Sequence, residues 1–380
     1  MSEHAGWPVA GTGAVAAIGR SPAEIFRSLC TSTSGLHPMR GFERSYYAGD
    51  RLYEIDDRGG EGDVPGRATA FLLDAIAQAL AEAGMAEQLG DIPVLVGTGL
   101  RELRSVELWA RGDVPYSAAR LHFGTALRER FGATMTHTVS NACSASLYAL
   151  SLGTDLLAVG AETVVVAGVD AVTESMVGIA DRLQSVAPDR VRPFDRGRMG
   201  TILGEGASAV VLRRTEDPAR PGPGRVRGVA VNCDAHHTTA PHAGSIAAAM
   251  RDAHRRAGVT PEDIDLVMLH GTGTHANDDA EARAIRAVFG PAPEKALMTA
   301  MKSMTGHTSG ASGLHSLIVA LRAMSAGLVP PTLGLDEPIE EVGEFRIVRG
   351  KAAPANLSLA QVNAFGFGGI NAVALVAGRR

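Results

Sequence analysis

Three short segments carry the reactive side chains of this sequence: Asn141-Ala142-Cys143-Ser144-Ala145-Ser146, His270-Gly271-Thr272-Gly273-Thr274 and Lys302-Ser303-Met304-Thr305-Gly306-His307. Each sets one thiol or imidazole among glycine and small residues. A thiol can hold an acyl group as a thioester. Two imidazoles can stabilise a second, decarboxylating substrate by hydrogen bonding to its developing charge. The set points to carbon–carbon bond formation on acyl chains.

Cys143 follows Thr136 to Ser140, which reads as a strand, and precedes Ser144 to Val159, which reads as an Ala- and Leu-rich helix. Free N–H groups and the dipole at a helix N-terminus favour a thiolate, so a lowered thiol pKa is expected. The competing reading of any one such residue is a small buried cysteine. That reading suits Cys30 and Cys233, which lie in no comparable setting. His270 ends an apolar run and opens Gly-Thr-Gly-Thr; the alternatives are a tight turn or a dinucleotide loop, for which the segment is too short. His307 lies between Gly306 and the small residues Thr308 to Gly313, ahead of a helix from Leu314 to Ala326. His236, His237 and His242 have no helical i, i+4 spacing and no clustered carboxylate or cysteine, so no metal is expected. Asn363-Ala364-Phe365-Gly366-Phe367-Gly368-Gly369 reads as a flexible loop whose N–H groups can bind an oxyanion.

The elements that position these groups form an echo. A helix from Phe71 to Met85, a strand over Ile92 to Val96 and Gly97-Thr98-Gly99 return later as a helix from Ile246 to Ala257, a strand over Ile264 to Leu269 and the His270 loop. Two related halves are expected, residues 1–217 carrying the cysteine and 225–380 carrying both histidines and the late glycine loop. Pro218 to Gly224 serves as the linker. Continuous apolar runs such as Thr163 to Ala167 and Ala207 to Leu212 suit strands covered by helices on both faces, hence an α/β fold.

The 380 residues are 45% hydrophobic and 20% charged, enough for a substantial core. A net charge of −5 gives no reason to expect nucleic-acid or anionic-membrane binding. No apolar stretch is long enough to span a bilayer, and Met1-Ser2-Glu3-His4 lacks the basic start of a signal peptide. Three cysteines at unrelated spacings imply neither a disulfide framework nor a zinc site, and a reducing cytoplasm is expected.

The motifs and their order resemble the β-ketoacyl-acyl-carrier-protein synthases, the condensing enzymes of fatty acid and polyketide synthesis. The matching segments are Ala-Cys143-Ser-Ala-Ser, His270-Gly-Thr-Gly-Thr, Lys302-x-x-x-Gly-His307 and Gly366-Phe367-Gly-Gly. Arg192-Pro193-Phe194-Asp195, Gly204-Glu205-Gly206-Ala207, Asn277-Asp278 with Glu281, Val329-Pro330-Pro331-Thr332 and the opening Val9 to Gly13 extend the resemblance over roughly residues 7 to 377. It is to the elongating Cys-His-His type. It implies the thiolase fold, two pseudo-symmetric βα halves in five layers, and a dimer. It implies no cofactor and an acyl carrier protein partner bearing phosphopantetheine-linked acyl and malonyl groups. By resemblance Cys143 is the acylated nucleophile, His270 and His307 hold the malonyl thioester carbonyl, and Lys302 orders the site. The N–H groups of Cys143 and Phe367 form the oxyanion hole, Phe367 is also a gate, and Thr272 and Thr274 bind the pantetheine arm. The sequence departs from the family at Ser316, where the elongating type carries glutamate, at Met199, at Ile370-Asn371, and in short stretches at Gly178 to Arg192 and between Gly97 and Cys143. Alternatives are an acyltransferase passing the acyl group to an amine or alcohol, and the ketosynthase subunit of a heterodimer with a chain-length partner. A non-catalytic chain-length partner usually lacks the cysteine, so Cys143 argues against it; a nicotinamide-dependent oxidoreductase rests only on the Gly-Thr-Gly loops.

Overall fold

Two five-stranded halves of matching strand order, joined in one 11-stranded sheet that Arg346–Ile347 extends at one edge, organise the computed structural model, which describes residues 6–58, 63–112, 114–184, 186–290 and 295–379. The first half runs β1 (Trp7–Ala16), α1 (Arg67–Glu82), β2 (Val94–Gly97), β3 (Thr136–Val139), α2 (Ala145–Ala158), β4 (Thr163–Asp170), α3 (Glu174–Leu183) and β5 (Gly206–Arg213). The second runs β6 (Gly224–Cys233), α4 (Ala243–Ala257), β7 (Leu266–Met268), α5 (His275–Phe289), β8 (Leu297–Thr299), α6 (Lys302–Thr305), α7 (Ser312–Ala326), β9 (Leu359–Gly366) and β10 (Ile370–Gly378). Strand order β3-β2-β4-β5-β1 in one half recurs as β8-β7-β9-β10-β6 in the other. The first three strands of each set are parallel and the last two antiparallel. The sheets join where Trp7–Val9 pairs with Gly224–Val226.

Strand composition explains the layering. Along β4, odd and even side chains enter different apolar clusters. Val165, Ala167 and Val169 pack with Phe71, Leu72, Ile76 and Leu80 of α1. Val164 and Val166 pack with Leu147 and Leu150 of α2 and Leu314 and Leu317 of α7. That central cluster continues into Ala360, Val362 and Ala364 of β9. The outer faces of β7 and β10 pack on Ile246 and Met250 of α4 and Ile285 of α5. The order is therefore helix, sheet, central helices, sheet, helix. A strand buried on both faces has no polar face to alternate, so it reads as an unbroken apolar run. Almost all of α7 is buried for the same reason.

The echo detected in sequence is a true structural repeat, while several boundaries move. The strand expected over Ile92 to Val96 is Val94–Gly97, and α1 and α4 each begin before the apolar run that marked them. The stretch beginning at Gly178 is helical through Leu183, because α3 is capped by Thr173 and Glu107. The loop expected over Asn363 to Gly369 is mostly strand: Asn363 to Gly366 pair with Ile370 to Val373, leaving only a tight turn through Gly368 and Gly369. Internal hydrogen bonds of Asn363 satisfy the polarity that made it look like loop. Met1 to His4 lie outside the described residues.

Candidate active site

Cys143 occupies a 3₁₀ turn, Ala142–Ser144, between β3 and α2. The backbone enters it through Ala142 at φ 45°. Ser144 Oγ donates to the carbonyls of Ala364 (3.0 Å) and Ile370 (2.7 Å), tying the turn to the second half. His270 follows β7, and His307 follows α6 through Gly306. Gly306 has φ 68°, and a Cβ there would lie 2.5 Å from the Tyr53 ring, so no other residue fits.

The repeat explains why the site exists in one half only. Before α7 a matching 3₁₀ turn, Ser309–Ala311, opens with Ser309 at φ 45°, so Gly310 is the counterpart of Cys143. The Gly310 N–H donates to Asp170 at 2.6 Å, and Thr98, Gly99 and Leu100 donate to the same carboxylate. Burial pushes Asp170 up to about 6 against these donors. The hairpin register places Gly366 where Asp170 sits in the first half, since Asp170 pairs with Gly206 and Gly366 with Ile370. A Cβ at Gly366 would lie 3.2 Å from the Cys143 nitrogen. A carboxylate fills one half's turn, whereas a glycine leaves its twin open for a substrate.

His307 Nε2 lies 3.0 Å from Cys143 Sγ. The two imidazoles meet edge to face, centroids 5.4 Å apart at 83°. Their tautomers follow from their other nitrogens. Ser309 N–H donates to His307 Nδ1 at 3.3 Å, and the Lys302 ammonium, which cannot accept, reaches His270 Nδ1 at 3.3 Å. Both rings therefore carry their proton on Nε2. Burial holds both well below the usual histidine pKa, with the Lys302 charge adding to it. The pair consists of two neutral N–H donors beside a sulfur.

Lys302 also donates to the His270 carbonyl. Glu281 accepts from the backbone N–H groups of His270 (2.8 Å) and Gly271 (2.9 Å) and from Asn363 Nδ2 (2.9 Å). Burial lowers Lys302 to about 8, with Glu281 the first charge opposing that fall. Ser316 bonds to Met301 and not to the lysine, so Glu281 supplies the counter-charge absent at Ser316. The expected low thiol pKa is corrected: burial pushes Cys143 up to about 11. Lys302 and the N–H groups of Phe367 and Cys143 pull it down, but desolvation outweighs them. The same two N–H groups point at the Cys143 sulfur.

The site opens into a cavity of about 230 Å³, lined by Cys143, both histidines, Thr272, Thr274 and Phe367 together with Met176, Ile179 and Leu183 of α3. Thr272 and Thr274 hydroxyls are 2.8 Å apart at its mouth, and Thr274 caps α5. Every site residue singled out in the sequence thus borders or supports one cavity. Sequence reasoning missed Glu281 as the counter-charge of Lys302, and missed Asp170, Ser309 and the α3 wall. A lone acid ending the apolar run of β4 was the available signal for Asp170. His237 and His242 accept backbone hydrogen bonds of their own turn and the start of α4. Among the described residues no group of three or more His, Cys, Asp or Glu is placed to hold a metal.

Residues 8–218 match the N-terminal domain of β-ketoacyl synthases and residues 224–336 match their C-terminal domain. Nodulation protein E of Rhizobium meliloti is 35% identical over 240 residues, 62% of this chain; the chain spans 60% of that relative's length. A 3-oxoacyl-[acyl-carrier-protein] synthase 2 of Synechocystis is 30% identical over 406 residues, covering 96% of this chain and 95% of that protein. Among solved structures, the ishigamide ketosynthase/chain length factor superposes with a TM-score of 0.90 at 30% identity, covering 99% of each chain.

Proposed function

The chain belongs to the β-ketoacyl synthase family, and we propose that it condenses an acyl thioester with a malonyl-acyl-carrier protein in fatty acid or polyketide synthesis. One observation carries the reading: two neutral Nε2–H donors sit beside a cysteine at the floor of an apolar cavity. Cys143 Sγ attacks the acyl carbonyl, and the thiol proton leaves on the departing pantetheine sulfur. The tetrahedral oxyanion takes hydrogen bonds from the Cys143 and Phe367 N–H groups. Malonyl thioester then binds with its carbonyl oxygen between His270 and His307. Cleavage of the C–C bond releases CO₂ and leaves its electron pair as an enolate, whose oxygen the two N–H donors stabilise. The enolate carbon attacks the acyl-Cys143 carbonyl and expels the thiolate. Preorganised donors in a site shielded from water are worth far more than in solution, and holding both thioesters together supplies much of the remaining barrier reduction.

Lys302 and Glu281 fix the His270 loop. Thr272 and Thr274 bind the pantetheine arm at the mouth, and Phe367, 45% exposed on the turn after β9, is the gate. Met176, Ile179 and Leu183 receive an apolar acyl chain. The work divides between residues 1–217, which bear the nucleophile, and 225–380, which bear both donors. Among the described residues β3 pairs only with β2 and leaves an open edge. An unpaired edge is a template for another strand, and we place there the dimer contact, with a second copy or a related chain. No helix among the described residues is long and apolar enough to cross a membrane. The three cysteines are all unpaired, which suits a cytoplasmic protein.

The test is intact-protein mass spectrometry after exposure to acyl-carrier protein, then addition of malonyl-carrier protein. A mass gain absent in Cys143→Ala, then CO₂ release and a two-carbon-longer product, is expected. Wild-type labelling of the Ala variant, or acyl transfer to an amine or alcohol without CO₂, would overturn the reading.

A further inference from the structure

A line of buried polar side chains leads away from the site through the second sheet. His254 Nε2 of α4 lies 2.6 Å from Gln361 Oε1, Gln361 Nε2 is 2.8 Å from Asn363 Oδ1, and Asn363 Nδ2 is 2.9 Å from Glu281 Oε1. All four side chains are almost wholly buried. Gln361 and Asn363 are two residues apart on β9, so they share a face.

The chemistry of the end groups fixes the direction of every bond. Burial pushes the Glu281 carboxyl up, but each of its oxygens accepts a backbone N–H and the Lys302 charge opposes the rise, so both oxygens are acceptors. Asn363 must therefore present its NH₂ to Glu281 and its oxygen to Gln361. Gln361 in turn presents its NH₂ to Asn363 and its oxygen outward. His254 must donate from Nε2. Each amide dipole has its positive end toward the carboxylate, and aligned bonds of this kind reinforce one another. Apolar side chains would have filled this interior without the cost of burying four polar groups.

We propose that His254 and Gln361 are positioning residues of the active site, holding Asn363 as a donor so that Glu281 stays ionised and Lys302 charged beside Cys143 and His270. Asp278 and Cys143 also face Lys302, His307 and Lys302 face His270, and Glu262 faces His254. The Glu281 charge favours the charged lysine, and below the lysine's own titration the Lys302 charge favours the thiolate. Breaking the line weakens Glu281 as an anion and lowers the lysine's affinity for its proton. The inference rests on the condensing role for its kinetic effect, but not for its electrostatic one.

The test uses His254→Phe, which keeps a ring and removes the donor, beside His254→Gln, which keeps a donor. The pH dependence of Cys143 alkylation by iodoacetamide needs no acyl substrate, so it reads this inference even if malonyl decarboxylation is absent in the wild type. Because Lys302 titrates at about 8, well below Cys143 at about 11, the alkylation profile carries an inflection where the lysine loses its proton. The Phe variant is expected to move that inflection downward by about half a unit, roughly a threefold change in the lysine's ionisation constant. Decarboxylation kcat should fall with KM unchanged, and the Gln variant should lie close to wild type in both. A wild-type inflection in the Phe variant overturns the proposal, as does an equal shift in both variants, which would reflect volume alone. If the Phe variant does not fold, Gln361→Met takes its place with the same two readings.

Discussion

Replacing His307 by alanine separates the two half-reactions. The imidazole donates from Nε2 at 3.0 Å from Cys143 Sγ, with its other nitrogen held by Ser309 N–H. In the proposed mechanism the oxyanion donors for acylation are backbone groups of Cys143 and Phe367, which the substitution leaves in place. The proposed enolate has two donors, and His307→Ala removes one of them. Loss of one preorganised donor costs about 3 to 4 kcal/mol, roughly 10² to 10³ in kcat. Malonyl decarboxylation should fall by that factor. Acylation of Cys143, which loses only the contact to sulfur, should fall by less than about tenfold, about 1.4 kcal/mol. Asparagine at the same position keeps an N–H donor and should recover part of the loss. The assays are intact-mass measurement of the acyl adduct with time and CO₂ release from malonyl-carrier protein. Equal losses in both half-reactions would refute the division of labour, and unchanged CO₂ release would remove His307 from the mechanism.

Because both histidines are held well below the usual range, they stay neutral as pH falls. Decarboxylation kcat should stay flat through pH 6.5 and decline on the alkaline side near 8, where Lys302 loses its proton; a limb at 6.5 would contradict the neutral-donor geometry. Lys302→Met should slow Cys143 alkylation at pH values below 8, where the lysine is charged and its charge favours the thiolate. Gly366→Ala would set a methyl 3.2 Å from the Cys143 nitrogen, so acylation should slow at least tenfold, a cost of about 1.4 kcal/mol, with melting temperature little changed. Leu183→Trp, at the cavity wall, should narrow the range of accepted acyl chains toward shorter ones in a competition among acyl-carrier proteins. Phe71→Ala, in the cluster between α1 and the first sheet, should cost about 3 to 5 kcal/mol in denaturant unfolding.

Sequence alone was enough for the segments that meet at one cavity and for the architecture that holds them. Cys143, His270 and His307 stand in small-residue segments because a backbone that turns sharply and approaches a substrate tolerates little else, and such segments are visible without coordinates. The duplicated order of helix, apolar strand and Gly-Thr-Gly loop was equally visible, since strands buried on both faces write their burial directly as valine and alanine. Tertiary structure alone decided the charges. Cys143 looked activated by a helix start, but the protein packed around it raises the thiol, and only the placement of Lys302 shows what offsets that. Ser316 raised a question about the lysine's partner that Glu281, 21 residues earlier in the chain, answers through space. The asymmetry of the repeat was hidden too: Asp170 and Gly366 are unremarkable letters until the two hairpins are superposed. Periodicity records which face is buried. Ionisation and tautomer depend on desolvation and on partners distant in the chain, and these exist only once the two halves close on each other.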